Sequence, residues 1–190
     1  NTTKKLEIIS KITVGFGFTE VLNSSLTSKK ILFDSTNRDS SGMLSVLDSK
    51  SQEHTILRDS ILPGLVENLS KNIHESYPQK LFEIGTVFSR AKPISEAINL
   101  AGITAYKESN YSEMKAILQS ILKTGFKIDS KTTTPQNDVS IFGNGRHSDV
   151  VVDEKIIGSI GELSPNVLEN FKIRTSVVGF EIKLSGLIFD

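Results

Sequence analysis

Strand-like runs follow one another in this sequence with no helix between them, and that order limits the possible folds more than any other feature. HSDVVVDEKIIGSIGEL reads as two strands turning near Asp153-Glu154. LFEIGTVFSR, residues 81–90, is apolar at alternate positions, and EAINLAGITAY follows it as another strand. FTEVLNSSLT, MLSVLD, FKIDSKTTT and SVVGFEIKL have the same β-branched, aromatic or alternating character. Strands joined without crossover helices imply a mainly antiparallel α+β fold, a sheet flanked by helices. A chain of 190 residues is expected to form one domain. A domain of this size buries roughly 70% of its unfolded surface.

The helices are legible from their apolar spacing. Residues 4–15 place Leu6, Ile8, Ile9, Ile12, Thr13 and the following Phe16 over an arc of roughly 160°. A helix lying on one sheet needs only about 100°, so burial on two sides is expected, either against the sheet and a partner or wholly inside its own domain. A second helix is predicted from about 60 to 74, with Ser60 as N-cap, Pro63 in the first turn and a stripe of Leu62, Leu65, Val66, Leu69 and Ile73. Asn110-Tyr111-Ser112-Glu113 has capping-box spacing and starts a third helix, expected to stop at Gly125. Ser164-Pro165 starts a short fourth.

Composition excludes several chemistries. Lys plus Arg and Asp plus Glu both number 22, so there is no basic surplus of the kind a free-standing nucleic-acid binder uses. Lys4-Lys5, Lys29-Lys30 and the run from Lys123 to Lys127 allow a modest phosphate contact at most. No cysteine is present, which rules out disulfides and fits a reducing compartment. The opening NTTKKLEIIS lacks an initiator Met and a signal-peptide core, as expected of a piece of a longer protein. The two glycosylation sequons, at Asn23 and Asn68, are read as chance. His54, His74 and His147 lack zinc spacing and are expected on the surface or in loops. Gly15-Phe16-Gly17 and Gly143-Asn144-Gly145 are expected to be turns, since neither lies between a strand and a helix start. No G-x-S-x-G is present. Glu83, Glu162 and Glu181 lie within strands without any sequence-adjacent partner for acid–base work, and are read as solvated or salt-bridged carboxylates.

Three segments carry a more specific signal. They are LRDSILPGLVENLSKNIHESYPQKLFEIGTVFS, GRHSDVVVDEKIIGSIGELSPNVLENFKI and VVGFEIKLSGL. In this order and spacing the chain resembles the C-terminal part of the phenylalanyl-tRNA synthetase beta subunit, of the archaeal and eukaryotic type. The resemblance implies a class II synthetase-like fold, with residues 1–190 as a single catalytic-like module that performs no catalysis. It implies a cytoplasmic alpha-two, beta-two heterotetramer whose alpha subunit holds the phenylalanine site and which acts on tRNA(Phe). It implies no cofactor in this domain, with ATP and magnesium serving the holoenzyme.

The resemblance turns LFEIGTVFSR into a test. Active class II enzymes carry F-R-x-E on a strand at this point, with Arg and Glu two apart on one face of the sheet. Aligned on Val87-Phe88, the Arg position is Ser89 and the Glu position is Ala91; Arg90 has the opposite parity. A one-residue slip brings Arg90 onto the face but puts Lys92 where the Glu should be. The other class II signature needs a Glu-Arg dipeptide, and none of the five arginines follows a glutamate. The strand is therefore kept and the phosphate clamp lost. A guanidinium and a carboxylate converging there from elsewhere in the chain would overturn this reading. Glu83 shares parity with Ser89, so it is either a remnant-pocket carboxylate or a solvated or backbone-bonded one. Two functions follow. The first is assembly with the alpha subunit through Ile8, Ile12 and Phe16, with Leu6 and Ile9 turned inward. The alternative is a small-molecule-binding or adenylate-forming class II-like enzyme domain.

Overall fold

The computed structural model describes residues 2–46, 54–90 and 93–188 of the chain. The order is α1 (Thr2–Gly15), β1 (Thr19–Glu20), β2 (Leu26–Thr27), one π-helical turn (Lys30–Asp34), β3 (Leu44–Ser45), β4 (Ile56–Leu57), α2 (Leu62–Lys71), β5 (Gln79–Ser89), β6 (Ser95–Ala105), α3 (Tyr111–Phe126), β7 (Lys131–Thr133), β8 (Phe142–Val152), β9 (Lys155–Leu163), α4 (Pro165–Asn170), β10 (Val177–Lys183) and α5 (Ser185–Ile188). Seven strands form one sheet in the order β1-β5-β6-β10-β9-β8-β7, and β2-β4-β3 form a small second sheet. Every pairing in the large sheet is antiparallel except β1 with β5. The result is an α+β fold with a mixed sheet flanked by helices. No helix among the described residues is long and apolar enough to cross a membrane.

Side-chain alternation sorts the sheet into two faces. Phe82, Leu100, Phe180 and Ile182 pack with α1 and α3 through Ile9, Met114, Leu118 and Ile121. The opposite face carries Ala101, Ile103 and Val177 against Leu62, Leu65, Val66 and Leu69 of α2 and Val167 of α4. The register puts Glu83 beside Ala101 and Ala101 beside Glu181, all on this second face. The β8–β9 hairpin turns on Asp153 and Glu154, whose φ values of 46° and 62° match a two-residue turn whose twist suits the strands.

Several local expectations are corrected by tertiary contacts. The strand read from FTEVLNSSLT is two separate two-residue strands, and the one read from FKIDSKTTT is only Lys131–Thr133. MLSVLD gives β3 at Leu44–Ser45, with Leu47 and Asp48 outside the described residues. Gly143-Asn144-Gly145 lies inside β8, at an irregularity between Phe142 and His147 where Gly145 takes φ 67°. Ser60 does not cap α2: Ile61 holds the cap position, without a side-chain cap bond. Gly125 does not end α3, which runs to Phe126 and closes on Lys127 at φ 61°. Gly125 instead makes room for α1, because a Cβ there would come 2.1 Å from Ile9 Cδ1. Asn110 caps α3 as expected, its side chain accepting from the Glu113 N–H at 3.0 Å. The return bond of the capping box is replaced, since Glu113 turns to Tyr106 and Lys80.

Candidate functional site

The strand LFEIGTVFSR becomes most of β5. Glu83 has no solvent exposure, and one carboxylate oxygen accepts from Arg58 Nη1 at 2.6 Å. The other accepts from Asn23 Nδ2 at 2.8 Å, and Asn23 Nδ2 also reaches Asn68 Oδ1 at 2.8 Å. Arg58 Nε donates to the Thr86 carbonyl at 3.0 Å. Gly85 completes the arrangement: a Cβ at this position would lie 2.1 Å from Arg58 Nη2. Arg58 lies across β5 where a larger residue would collide with it. Glu83 is thus a buried ion-pair carboxylate, neither solvated nor backbone-bonded. Both of its oxygens are engaged.

Further along the same face a cleft of about 340 Å³ opens beside Ser89, floored by small side chains such as Ala97, Ser95 and Ser159. Arg38 and Glu181 also line it, so a guanidinium and a carboxylate do reach this spot from elsewhere in the chain. Their arrival meets the condition set above for overturning the vacated-clamp reading as it was framed, and the exposed Lys183 lines the cleft as a second cation; Arg38 and Glu181 are themselves already bound. Arg38 Nη2 is bound to Asp59 Oδ2 at 2.8 Å, its guanidinium lies 5.2 Å from the centre of the Phe33 ring, and Nη1 donates to the Leu32 carbonyl at 3.3 Å. Glu181 accepts from Ser60 Oγ at 2.6 Å, from the Ile61 N–H at 3.0 Å and from the Leu62 N–H at 3.1 Å. Its other oxygen accepts from Asn99 Nδ2 at 2.7 Å. A carboxylate brought in from β10 thus caps α2, satisfying its first N–H groups and meeting the positive end of its dipole.

The remaining sequence-derived positions are dispersed. Ala91 and Lys92 lie outside the described residues. Arg90 is exposed and donates to the Ser41 carbonyl at 3.2 Å. Glu162 pairs with Arg146 at 2.5 Å on the far side of the sheet. His147 is buried on β8 and stacks on Phe142, contrary to the surface or loop position expected of it, while His54 and His74 are exposed. Among the described residues no group of three or more His, Asp or Glu side chains is placed to hold a metal ion. Away from the cleft, Tyr106 donates to Glu113, which also pairs with Lys80 at 3.3 Å. The carboxylate partner pushes the Tyr106 hydroxyl up to about 12, and the hydroxyl bond holds Glu113 below its usual range.

On α1, Ile9 and Thr13 are buried, and Leu6 and Ile12 pack at the edge of the core. Ile8 is 48% exposed and Phe16 36% exposed, with Val14 at 51%. The helix buries one side in this chain and leaves Ile8 and Phe16 uncovered; Ile12 is shared, its Cδ1 lying near Gly125. Sequence reasoning singled out Arg58 only within the Leu57-Arg58 piece of the family resemblance, without a partner, and gave no role to Arg38, Asp59 or Asn99. Their partners are distant in sequence and follow no periodic pattern, so no local signal marks them.

A family model described as the phenylalanyl tRNA synthetase beta chain CLM domain matches residues 1–184. The phenylalanine–tRNA ligase beta subunit of Methanocaldococcus jannaschii is 37% identical over 185 residues, covering 95% of this chain and 33% of that protein. The corresponding subunit of Archaeoglobus fulgidus is 34% identical over 186 residues, covering 96% and 33%. That of Pyrococcus furiosus is 38% identical over 190 residues, covering 95% and 33%. The chain spans about a third of the length of the curated relatives it matches.

Proposed function

Because this chain belongs to the family of phenylalanyl-tRNA synthetase beta chain CLM domains, we propose that it is a non-catalytic, class II synthetase-like domain of a longer beta subunit. In this reading residues 1–190 are one domain from the C-terminal catalytic-like core. Its work is to support assembly with the alpha subunit, in a cytoplasmic alpha-two, beta-two ligase that attaches phenylalanine to tRNA(Phe). The observation that carries the proposal is the cleft beside Ser89. Its guanidinium is held by Asp59 and Glu181 caps α2, which leaves the exposed ammonium of Lys183 as the cleft's other cation and no arginine fork free to grip a triphosphate. A hydroxyl at Ser89 cannot replace the fixed fork of charged donors that an arginine offers phosphate. ATP and magnesium are assigned to the holoenzyme and not to this domain. Calorimetry with ATP plus phenylalanine on this chain is expected to show no binding; micromolar affinity for either would refute the reading.

Docking is assigned to the uncovered side of α1, at Ile8 and Phe16, with Ile12 at the margin. Ile8 tests this best, because its exposure separates docking from folding, whereas Ile12 also supports the core. Ile8→Glu is expected to leave the fold intact and weaken co-purification with the alpha subunit, since docking would bury an unpaired charge. Wild-type recovery of the complex would reject α1 as the docking surface.

A further inference from the structure

The β8–β9 ladder is interrupted at one point. Phe142 faces Leu163 and His147 faces Gly161, so the four residues 143–146 stand against Glu162 alone. The surplus residues leave the ladder as a large bulge. Asn144, Gly145 and Arg146 are exposed there. Gly145 takes φ 67°, and apart from its chain neighbours nothing lies within 4 Å of where a Cβ would stand. Two open clefts of about 500 and 670 Å³ share Asn144 and Gly145 in their linings, so water reaches both residues.

Asn144-Gly145 is the one Asn-Gly pair in the sequence. A side-chain amide is a weak electrophile. The backbone nitrogen of the next residue can nevertheless close a small ring on it, and intramolecular attack of this kind has a large proximity advantage. Three things ordinarily prevent it in a folded chain. A Cβ on the following residue crowds the nitrogen, a ladder hydrogen bond occupies its N–H, and bonds to the asparagine amide hold the side chain still. None of them operates at Asn144. Residue 145 has no Cβ, it has no partner in the register of β8 with β9 or with β7, and the Asn144 amide makes no hydrogen bond among the described residues. Asn23 provides the contrast. Ser24 after it is also small, yet Asn23 Nδ2 donates to Glu83 and to Asn68, both at 2.8 Å, so its amide is held in place.

We infer that Asn144 is a site of spontaneous deamidation in the folded protein, with water as the only co-reactant. The Gly145 nitrogen bonds to Asn144 Cγ, the Cγ–Nδ2 bond breaks, and ammonia leaves with the former Gly145 amide proton. Water then opens the cyclic imide at one of its two C–N bonds. Breaking the bond from Cγ gives an aspartyl residue. Breaking the bond from the backbone carbonyl carbon of residue 144 gives an isoaspartyl residue, whose main chain runs through the former side chain. Either product puts a new carboxylate into the cleft lined by Arg146 and Glu162, which are paired at 2.5 Å. The site involves neither α1 nor the cleft beside Ser89, so it goes beyond the assembly reading and stands or falls separately from it.

The test incubates the intact, full-length protein in its purified assembly under mildly alkaline conditions and follows it by peptide mapping with mass spectrometry. The peptide carrying Asn144 should gain the mass of an amide-to-acid exchange before any other asparagine of this chain, Asn23 included. Both isomers should form, the isoaspartyl one identified by its methylation with an isoaspartyl methyltransferase. The rate should lie within about tenfold of that of a synthetic peptide of the same local sequence, because the bulge adds little to the barrier. Gly145→Ala should slow the reaction about tenfold or more by crowding the attacking nitrogen. Circular dichroism checks that this variant keeps the fold, and the comparison of wild type with the peptide stands whether or not it does. A rate at Asn144 below that range, earlier reaction at another asparagine, an aspartyl product with no isoaspartyl isomer, or a rate unchanged in folded Gly145→Ala would each overturn the inference.

Discussion

Substituting Arg58→Met should destabilise the protein severely, and the reason can be worked from the contacts. The pair is almost completely removed from water, with side-chain exposures of 6% for Arg58 and 0% for Glu83. Without the guanidinium, Glu83 keeps one charged-group hydrogen bond, from Asn23, in a site that water does not reach. Breaking a buried pair by removing one partner costs about 3–5 kcal/mol, because a buried charge is left uncompensated. That is a large share of a total stability of about 5–15 kcal/mol. Glu83→Gln should cost a similar amount, now stranding the arginine. The double variant Arg58→Met/Glu83→Met removes both charges and should lose much less than the sum of the two singles. The coupling in the double-mutant cycle should then be on the order of 3 kcal/mol. Urea denaturation followed by circular dichroism at neutral pH gives all four stabilities. Single costs below about 1 kcal/mol, in the range of exposed pairs, or costs that simply add, would show that Arg58 and Glu83 do not act as a unit.

Three further outcomes follow from other contacts. Glu181→Gln should lower stability by about 1–3 kcal/mol, read as a fall in thermal midpoint, because a charged acceptor of two helix N–H groups is neutralised. Gly125→Ala should destabilise despite the roughly 1 kcal/mol that alanine gains in a helix, since its methyl meets the fully buried Ile9; Ile9→Val should partly relieve the loss in denaturation experiments. Tyr106→Phe should separate from wild type in pH-dependent stability. The tyrosine pKa is raised in the folded state from 10.0 to about 12, so its contribution is complete below pH 10 and fades as pH rises through 12. Its partner Glu113 is lowered from 4.5, so the contribution from that carboxylate holds above that pH and is lost on acidification below it. A wild-type minus Tyr106→Phe difference that is flat across both windows would contradict the assignment.

The element types of the long strands and main helices were legible because they depend on periodicity. A strand alternates every residue and a helix returns every 3.6, whatever lies beyond. The sequence by itself determined β5, β6, the β8–β9 hairpin and the capped starts of α3 and α4. Ser60 and Gly125 show where that reasoning ends. Each has the residue type of a local signal, a cap and a stop, but a distant partner sets its role: Glu181, 121 residues away, for Ser60, and Ile9 for Gly125.

Only the tertiary structure decided the fate of the charges. Parity placed Glu83 and Ser89 on one face, yet it could not show that Arg58 would cross β5 at Gly85 to neutralise the first, or that Arg38 and Glu181 would reach the cleft beside the second already bound. These pairings depend on sheet register and on how α2 lies against the strands. A buried charge accepts whichever partner the packing brings within about 3 Å, because leaving it unpaired costs more than almost any local preference can offset.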